Sequence, residues 1–391
     1  MRTQLINGRI LTPDGLRDDI VVIIDGDRIL SVGPSDPSLD AETCDLDGGL
    51  LVPGFIDTQV NGGGGALFNA DPSVETIATI GETHRRFGTT GFLPTLLSDD
   101  LEVVDRGIEA VEAAIHQGVP GVLGIHIEGP FLNLRRKGIH DASKFRVLEQ
   151  DMIERLTRLR KGRTLITLAP EMTSPDLIRR LVTAGARVSA GHTDADHSTM
   201  RSAFAAGVTG VTHLFNAMPA LQNRAPGVVG AALEDQQAWC GLIVDGHHVD
   251  PVVLKLGLRC RPLDRFMLVT DAMPSVGLKT DHFHLQGRRI NVRDGVCTDD
   301  QGVLAGSDLD MATAFRNTIA LLDVDLAAAS TMASAAPAAF LGLAGERGRI
   351  APGQIADLAL LNDDLVVAST WISGRPSSSP ADLGEPGDAR T

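Results

Sequence analysis

Residues 121–129 read GVLGIHIEG. Val122, Leu123, Ile125 and Ile127 make the run nearly continuous in apolar side chains, and it closes on His126 and Glu128. A strand with one wet face alternates; a strand covered on both faces reads as an unbroken apolar run, as in a parallel sheet packed by helices. Seven more runs share this texture: GLLVPGFID (49–57), GFLPTLL (91–97), TLITLAPE (164–171), ARVSAGHT (186–193), GVTHLFNA (210–217), GLIVDGHH (241–248) and RFMLVTDA (265–272). Helical patterns lie between several of them. In SPDLIRRLVTAG (174–185), Ser174 can cap, Pro175 suits the first helical position, Leu177, Leu181 and Val182 form an apolar face, and Gly185 can end the helix. LEVVDRGIEAVEAAIHQG (101–118) and DADHSTMRSAFAAG (194–207) have the same rhythm. Eight strands with helical connections predict an α/β fold, a parallel (β/α)8 barrel of the TIM type.

Toward both ends the rhythm changes. Within residues 1–50, QLINGRILT, DIVVIIDGDRILSVG and ETCDLDGG are short runs broken by Asn-Gly, Asp-Gly and Gly turns. Residues 347–375 repeat that texture, so one small β domain built from both termini is expected. The division is 1–52 with 347–376 for this domain and 53–346 for the barrel. Residues 377–391, rich in Pro, Ser and Asp, are expected to form a loose tail.

A chain of 391 residues with 43% apolar content can bury one large barrel and a small appendage. The formal charge of −15 argues against nucleic acid and anionic membranes, because nothing offsets phosphate repulsion. A small anionic substrate would need locally placed Arg or His. Cys44, Cys240, Cys260 and Cys297 are far apart and form no C-x-x-C pair, so they read as reduced thiols. The N-terminus lacks a continuous apolar core of signal-peptide length, and no apolar run approaches the roughly 18 residues of a membrane span. A soluble cytoplasmic protein with no nucleic-acid or membrane partner is expected.

In such barrels the chemistry sits at the C-terminal strand ends. These ends offer Asp57, Gln59 and Asn61; His126 and Glu128; His192; His213 and Asn216; Asp245, His247 and His248; and Asp271. Glu128, His192 and His213 make a ligand set for a divalent transition metal, with a position left for water. A carboxylate at Asp271, behind an apolar strand, suits a general base that moves a proton from water to a leaving amine.

GIHIEGPFLN, SAGHTDAD, THLFNAMPAL, VDGHHVD, LVTDA and LAGSDL, with PGFIDTQVNGGGG and GRIAPGQIADLALL, together resemble the N-acetylglucosamine-6-phosphate deacetylases of the amidohydrolase superfamily. The resemblance spans nearly the whole chain. It implies a metal-dependent hydrolase that removes acetyl from a phosphorylated N-acetyl amino sugar, and a barrel flanked by a small β-sandwich. It puts the metal ligands on Glu128, His192 and His213, the catalytic aspartate on Asp271, and a carbonyl-polarising histidine on His140. Phosphate contacts fall on Asn216 and Ala217, on Arg224 and on His248, with Leu304 bordering the sugar. Many superfamily members carry His-x-His after the first strand and hold two metals bridged by a carboxylated lysine on the fourth strand. Here the first positions are Gln59 and Asn61, neutral amides that bind zinc poorly, and Lys161 precedes the fourth strand. One divalent ion is therefore expected, zinc first, with Fe2+, Co2+ or Mn2+ as alternatives. Gln59 is expected to hydrogen-bond near it, and a homodimer is expected, with Arg224 crossing the interface.

Two adjacent histidines in an extended segment face opposite ways, so at most one should reach the phosphate, and the motif register of the resemblance puts it on His248. Three other readings compete: an N-acetylgalactosamine-6-phosphate deacetylase, differing at one sugar hydroxyl; a cyclic-amide hydrolase, disfavoured by the missing histidines and lysine; and a non-catalytic scaffold or sugar-binding protein, disfavoured by the retained acidic and imidazole set.

Overall fold

The computed structural model describes residues 2–35 and 39–377. Apart from Ser377, the tail expected at 377–391 lies outside them. The barrel strands are β1 (Phe55–Val60), β2 (Thr89–Leu97), β3 (Gly124–Glu128), β4 (Arg163–Leu168), β5 (Arg187–Ala190), β6 (Gly210–Val211), β7 (Trp239–Leu242) and β8 (Phe266–Leu268). They pair side by side in that order, every ladder parallel. Register brings Leu97, Glu128 and Thr167 into one row, so residues far apart in sequence end at one rim. Between β1 and β8 there is no strand ladder; an isolated parallel bridge from Val60 to Ala272 meets across the gap.

The helices follow their capping residues. Pro175–Thr183 begins behind Ser174, whose side chain accepts the Leu177 N–H, and Gly185 leaves it with φ +100°. Its buried face is Ile178 and Leu181 with Leu177 beside them; Val182 is exposed, contrary to the expected face. Leu101–Gln117 ends on Gly118 at φ 74°, and His197–Ala205 starts from Asp196, which accepts the Thr199 N–H.

One expected strand proves to be two. Leu50–Pro53 pairs with Leu358–Leu361 and with Arg9–Thr12, in a different sheet from Phe55–Val60. The chain passes between sheets at Gly54, where a Cβ would lie 2.1 Å from Thr90 Oγ1. Apolar texture carries no mark of that change of partner. The six-stranded sheet holding Leu50–Pro53 also contains Gly15–Arg17, Val367–Ile372 and Arg375–Pro376. A four-stranded sheet of Arg2–Ile6, Val21–Asp25, Arg28–Gly33 and Glu42–Asp45 faces it. Leu5, Ile10, Val22, Ile24, Leu51, Leu358 and Trp371 form their shared core, making a β-sandwich drawn from both ends of the chain.

Another element has no counterpart in the patterns above. His282–Leu285, Arg288–Arg293, Val296–Thr298 and Leu304–Ser307 form an antiparallel sheet after β8. It reaches over the barrel rim. Gln286 Nε2 donates to the Ser98 carbonyl at 2.9 Å, and Arg288 donates to the Ile139 carbonyl. Short strands with Asp-Gly and Gln-Gly turns resemble loop in composition, which is why periodicity passes over them.

Candidate active site

Glu128, at the end of β3, is buried and receives side chains from three other segments. His213 Nε2 lies 3.1 Å from Glu128 Oε1, His192 Nε2 lies 3.4 Å from the same oxygen, and the two Nε2 atoms are 3.1 Å apart. His140 Nε2 is 4.0 Å from Glu128 Oε2, and donor atoms of Glu128, His140 and His192 all lie within 4.8 Å of one another. Four donors thus converge where the sequence reading names three as ligands.

Their hydrogen bonds separate them. His192 Nδ1 sits 2.8 Å from the Arg136 carbonyl, which can only accept, so Nδ1 carries the proton and Nε2 presents a lone pair. His140 is the reverse. Ser98 N–H donates to its Nδ1 at 3.1 Å, and Ser98 Oγ lies 2.8 Å from the same nitrogen. The neutral ring therefore carries its proton on Nε2. Burial above all keeps His140 from ionising, holding its pKa well below the usual range. A protonated Nε2 donates and does not ligate. Glu128, His192 and His213 are therefore the three that suit a cation, and their spacings of 3.1, 3.1 and 3.4 Å approach the tetrahedral edge of about 3.3 Å expected for ligands roughly 2.0–2.1 Å from a zinc ion. Burial alone would raise the Glu128 carboxyl, but the two imidazoles set against it, His192 and His213, outweigh burial and hold the pKa well below the ordinary carboxylate range. His213 Nδ1 has no hydrogen-bond partner among the described residues.

Asp271 faces this cluster from the end of β8. Asn61 Nδ2 donates to its Oδ1 at 2.6 Å and Gln59 Nε2 donates to the same oxygen at 3.2 Å. Gln59 also donates to both oxygens of Glu128, at 3.1 and 3.2 Å. The two amides of β1 and its end thus tie the two carboxylates together. Burial, then the negative charge of Glu128, pushes the Asp271 pKa up to about 6. His192, His213 and Asp271 all have left-handed backbone, with φ of 48°, 33° and 53°. Non-glycine residues pay about 1–3 kcal/mol each for such conformations, which cluster at functional sites.

The residues expected at the phosphate end lie on separate turns and strands. Ala217 (φ 51°) lies in the turn after β6. Asn216 N–H already donates to the His213 carbonyl at 2.9 Å, and its side chain donates there too at 3.2 Å; the Asn216 amide is thus engaged within its own turn. His247 and His248 are not in an extended segment. Asp245 Oδ1 accepts both of their backbone N–H groups at 2.8 and 2.9 Å in a tight turn, which leaves His247 exposed and His248 half-buried. His248 Nδ1 is held 2.6 Å from Asp245 Oδ2, so its Nε2 points elsewhere. Arg224 is exposed and has no ion pair among the described residues. Leu304 begins the strand whose Ser307 N–H donates to the Asp271 carbonyl at 2.9 Å. Lys161 lies before β4, away from the rim.

Sequence reading passes over Ser98 and Thr270. Ser98 follows the apolar β2 directly and sets the His140 tautomer through its backbone N–H, a role that residue type does not signal. Asp57 appears among the strand-end residues without a role, yet it is fully buried inside the barrel.

The amidohydrolase family model matches residues 50–376. The chain belongs to the amidohydrolase family. Among amidohydrolases it is 45% identical over 315 residues to the N-acetylgalactosamine-6-phosphate deacetylase of Shewanella sp. (strain ANA-3), covering 80% of this chain and 79% of that protein. It is 34% identical over 363 residues to the N-acetylglucosamine-6-phosphate deacetylase of Haemophilus influenzae, covering 92% and 95%. The crystal structure of N-acetylglucosamine-6-phosphate deacetylase from Pasteurella multocida superposes with a TM-score of 0.93 at 33% identity, over 97% of this chain and all of that one. A variant of the Mycobacterium smegmatis enzyme in complex with N-acetyl-D-glucosamine-6-phosphate gives 0.88 at 32%, over 96% and 98%. The chain is a metal-dependent amidohydrolase with a buried Glu/His cluster able to hold an ion.

Proposed function

We propose that this amidohydrolase hydrolyses the N-acetyl group of N-acetylglucosamine-6-phosphate to give glucosamine-6-phosphate and acetate. The observation that carries the reading is the meeting of Glu128, His192, His213, His140 and Asp271 at one rim, in a chain whose relatives over nine-tenths of its length include enzymes named for this reaction.

Glu128, His192 and His213 would hold one divalent cation, zinc by the nitrogen and oxygen donor set, with Fe2+, Co2+ and Mn2+ as alternatives. An ion bound there would supply Lewis-acid polarisation of the amide carbonyl and would acidify a water. Asp271 takes the proton of the attacking water and delivers it to the departing nitrogen; its Oδ1 is occupied by Asn61 and Gln59, which leaves Oδ2 for the transfer. His140 Nε2–H donates to the carbonyl oxygen as negative charge develops there. The amides at positions 59 and 61, and the absence of lysine from β4, support a single ion.

Arg224, His248 and the Ala217 amide receive the phosphate, with Leu304 against the sugar. An exposed, unpaired Arg224 beside the exposed Leu221 supports a homodimer in which this loop meets a partner. Free thiols at all four cysteines fit a cytoplasmic enzyme, and among the described residues no helix is long and apolar enough to cross a membrane. The proposed division is 1–52 with 347–376 against 53–346, with Pro53, the last residue to pair in the sandwich sheet, at the boundary.

The 45% identity to an N-acetylgalactosamine-6-phosphate deacetylase favours a second reading, the epimeric substrate. Acetate release from both 6-phosphates and from unphosphorylated N-acetylglucosamine, with and without chelator, tests both. Chelator-sensitive release from the glucosamine epimer is expected. Preference for the galactosamine epimer selects the second reading, and no release from either phosphate with metal supplied overturns both.

A further inference from the structure

Asp57 is fully buried within β1 and has no part in the chemistry above. Barrel interiors are ordinarily filled by branched aliphatic side chains, and a buried carboxylate is costly unless its oxygens are satisfied. Asp57 is satisfied in a specific way. Thr270 Oγ1 donates to its Oδ2 at 2.5 Å, while the N–H groups of Gln59 and Thr270 donate to its Oδ1 at 3.0 and 3.3 Å. The two bonds from Thr270 span the seam between β1 and β8, where no strand ladder joins the sheet edges.

The same seam carries Asp271. Its N–H donates to the Gln59 carbonyl at 3.0 Å, and the next residue, Ala272, donates its N–H to Thr270 Oγ1 at 3.2 Å. The Thr270 hydroxyl is thus donor to Asp57 and acceptor from Ala272, so it holds the backbone on both sides of the left-handed Asp271. Ser307 completes the grip, with Oγ donating to the Thr270 carbonyl at 2.6 Å and N–H donating to the Asp271 carbonyl at 2.9 Å. Asp271 therefore has its side chain held by Asn61 and Gln59 and its own peptide groups held by Gln59 and Ser307, while the residues on either side of it, Thr270 and Ala272, are tied through the Thr270 hydroxyl to Asp57.

We propose that Asp57 is a positioning residue for the general base: acting through Thr270 Oγ1, it fixes the turn that aims the free oxygen of Asp271 at the attacking water. The proposal rests on the reading of Asp271 as that base. It requires a hydroxyl at position 270 and an acceptor oxygen at Asp57 Oδ2, not merely the right volume.

Three variants of the full-length, metal-loaded enzyme test it: Thr270→Val, Thr270→Ser and Asp57→Asn. Each is measured for kcat and KM on whichever 6-phosphate epimer the parent hydrolyses, for metal content, and for thermal midpoint. Thr270→Val preserves shape and removes the hydroxyl. Its kcat should fall by about 10–100-fold with KM within about 2-fold and full metal content, the size of effect that misplacing a reacting group by an ångström or less produces. Thr270→Ser should restore kcat to within about 3-fold of the parent. Asp57→Asn, whose amide cannot accept the Thr270 hydroxyl at that position, should lose kcat as Thr270→Val does, and it decides the matter if Thr270→Val does not fold. An unchanged kcat in a folded Thr270→Val variant, equal losses in the serine and valine variants, or activity loss that tracks metal loss overturns the proposal. Asp271→Asn separates this failure from failure of the underlying reading. If that variant is inactive while Thr270→Val is fully active, only the positioning role falls; if Asp271→Asn is fully active, the assignment of the base falls.

Discussion

Replacing His140 by alanine separates two uses of one ring. The ring touches the same carboxylate as His192, and by distance alone it belongs to the ion-binding set. By hydrogen bonding it does not. Ser98 N–H occupies Nδ1, burial keeps the ring neutral, and the proton must sit on Nε2, facing the site. A donor aimed at a developing oxyanion is worth about 2.7–4 kcal/mol, or about 10²–10³ in kcat. His140→Ala should lose that much turnover and keep its metal. His192→Ala, which removes a lone pair from the Glu128 cluster, should lose both. The assay pairs acetate release at saturating substrate with metal content after gel filtration. Metal loss in His140→Ala equal to that in His192→Ala, or kcat within about 3-fold of the parent, would refute the tautomer argument.

Arg224→Ala should raise KM for the phosphorylated sugar far more than for the unphosphorylated one, read from initial rates; equal effects would remove Arg224 from the phosphate site. Gly306→Ala should lower stability by about 1–3 kcal/mol and reduce kcat, because φ is +59° and a Cβ would sit 2.7 Å from the Asp271 carbonyl; urea midpoints and rates check it. Burial raises the Asp57 pKa from 3.8 to about 7. Its protonated form therefore contributes stability that is complete below about pH 4 and is lost as pH climbs through 7, up to about 4 kcal/mol. Asp57→Asn does not titrate, so its urea midpoint should rise relative to the parent between pH 4 and 8; a constant gap would contradict the shift. Chelation should abolish turnover, and added zinc should restore it together with any loss in thermal midpoint.

What could be read from sequence was whatever depends on local periodicity or on residue type at a strand end. The helix at 175–183 was legible because Ser174, Pro175 and Gly185 mark it chemically. The rim residues were legible because polar groups closing apolar strands stand out. Partner choice between strands was not legible: Leu50–Pro53 and Phe55–Val60 look alike and join different sheets. The engagement of the Asn216 amide with His213, and the turn that separates His247 from His248, depend on backbone angles that residue type does not reveal. Ser98 was overlooked because its importance lies in the proton it places on another residue's ring, a relation visible only when the two meet across 42 positions of chain.

The strand Leu50–Pro53 is flanked by Arg9–Thr12 on one side and Leu358–Leu361 on the other. The first neighbour leaves the ribosome before it; the second follows about 300 residues later. At roughly 5–20 residues per second, one edge of a Leu-Leu-Val strand waits about 15–60 s for its mate during synthesis. An open apolar edge is a template for foreign strands. Chaperone demand during translation should therefore concentrate on this N-terminal segment, and slowing elongation anywhere across the barrel would lengthen its exposure.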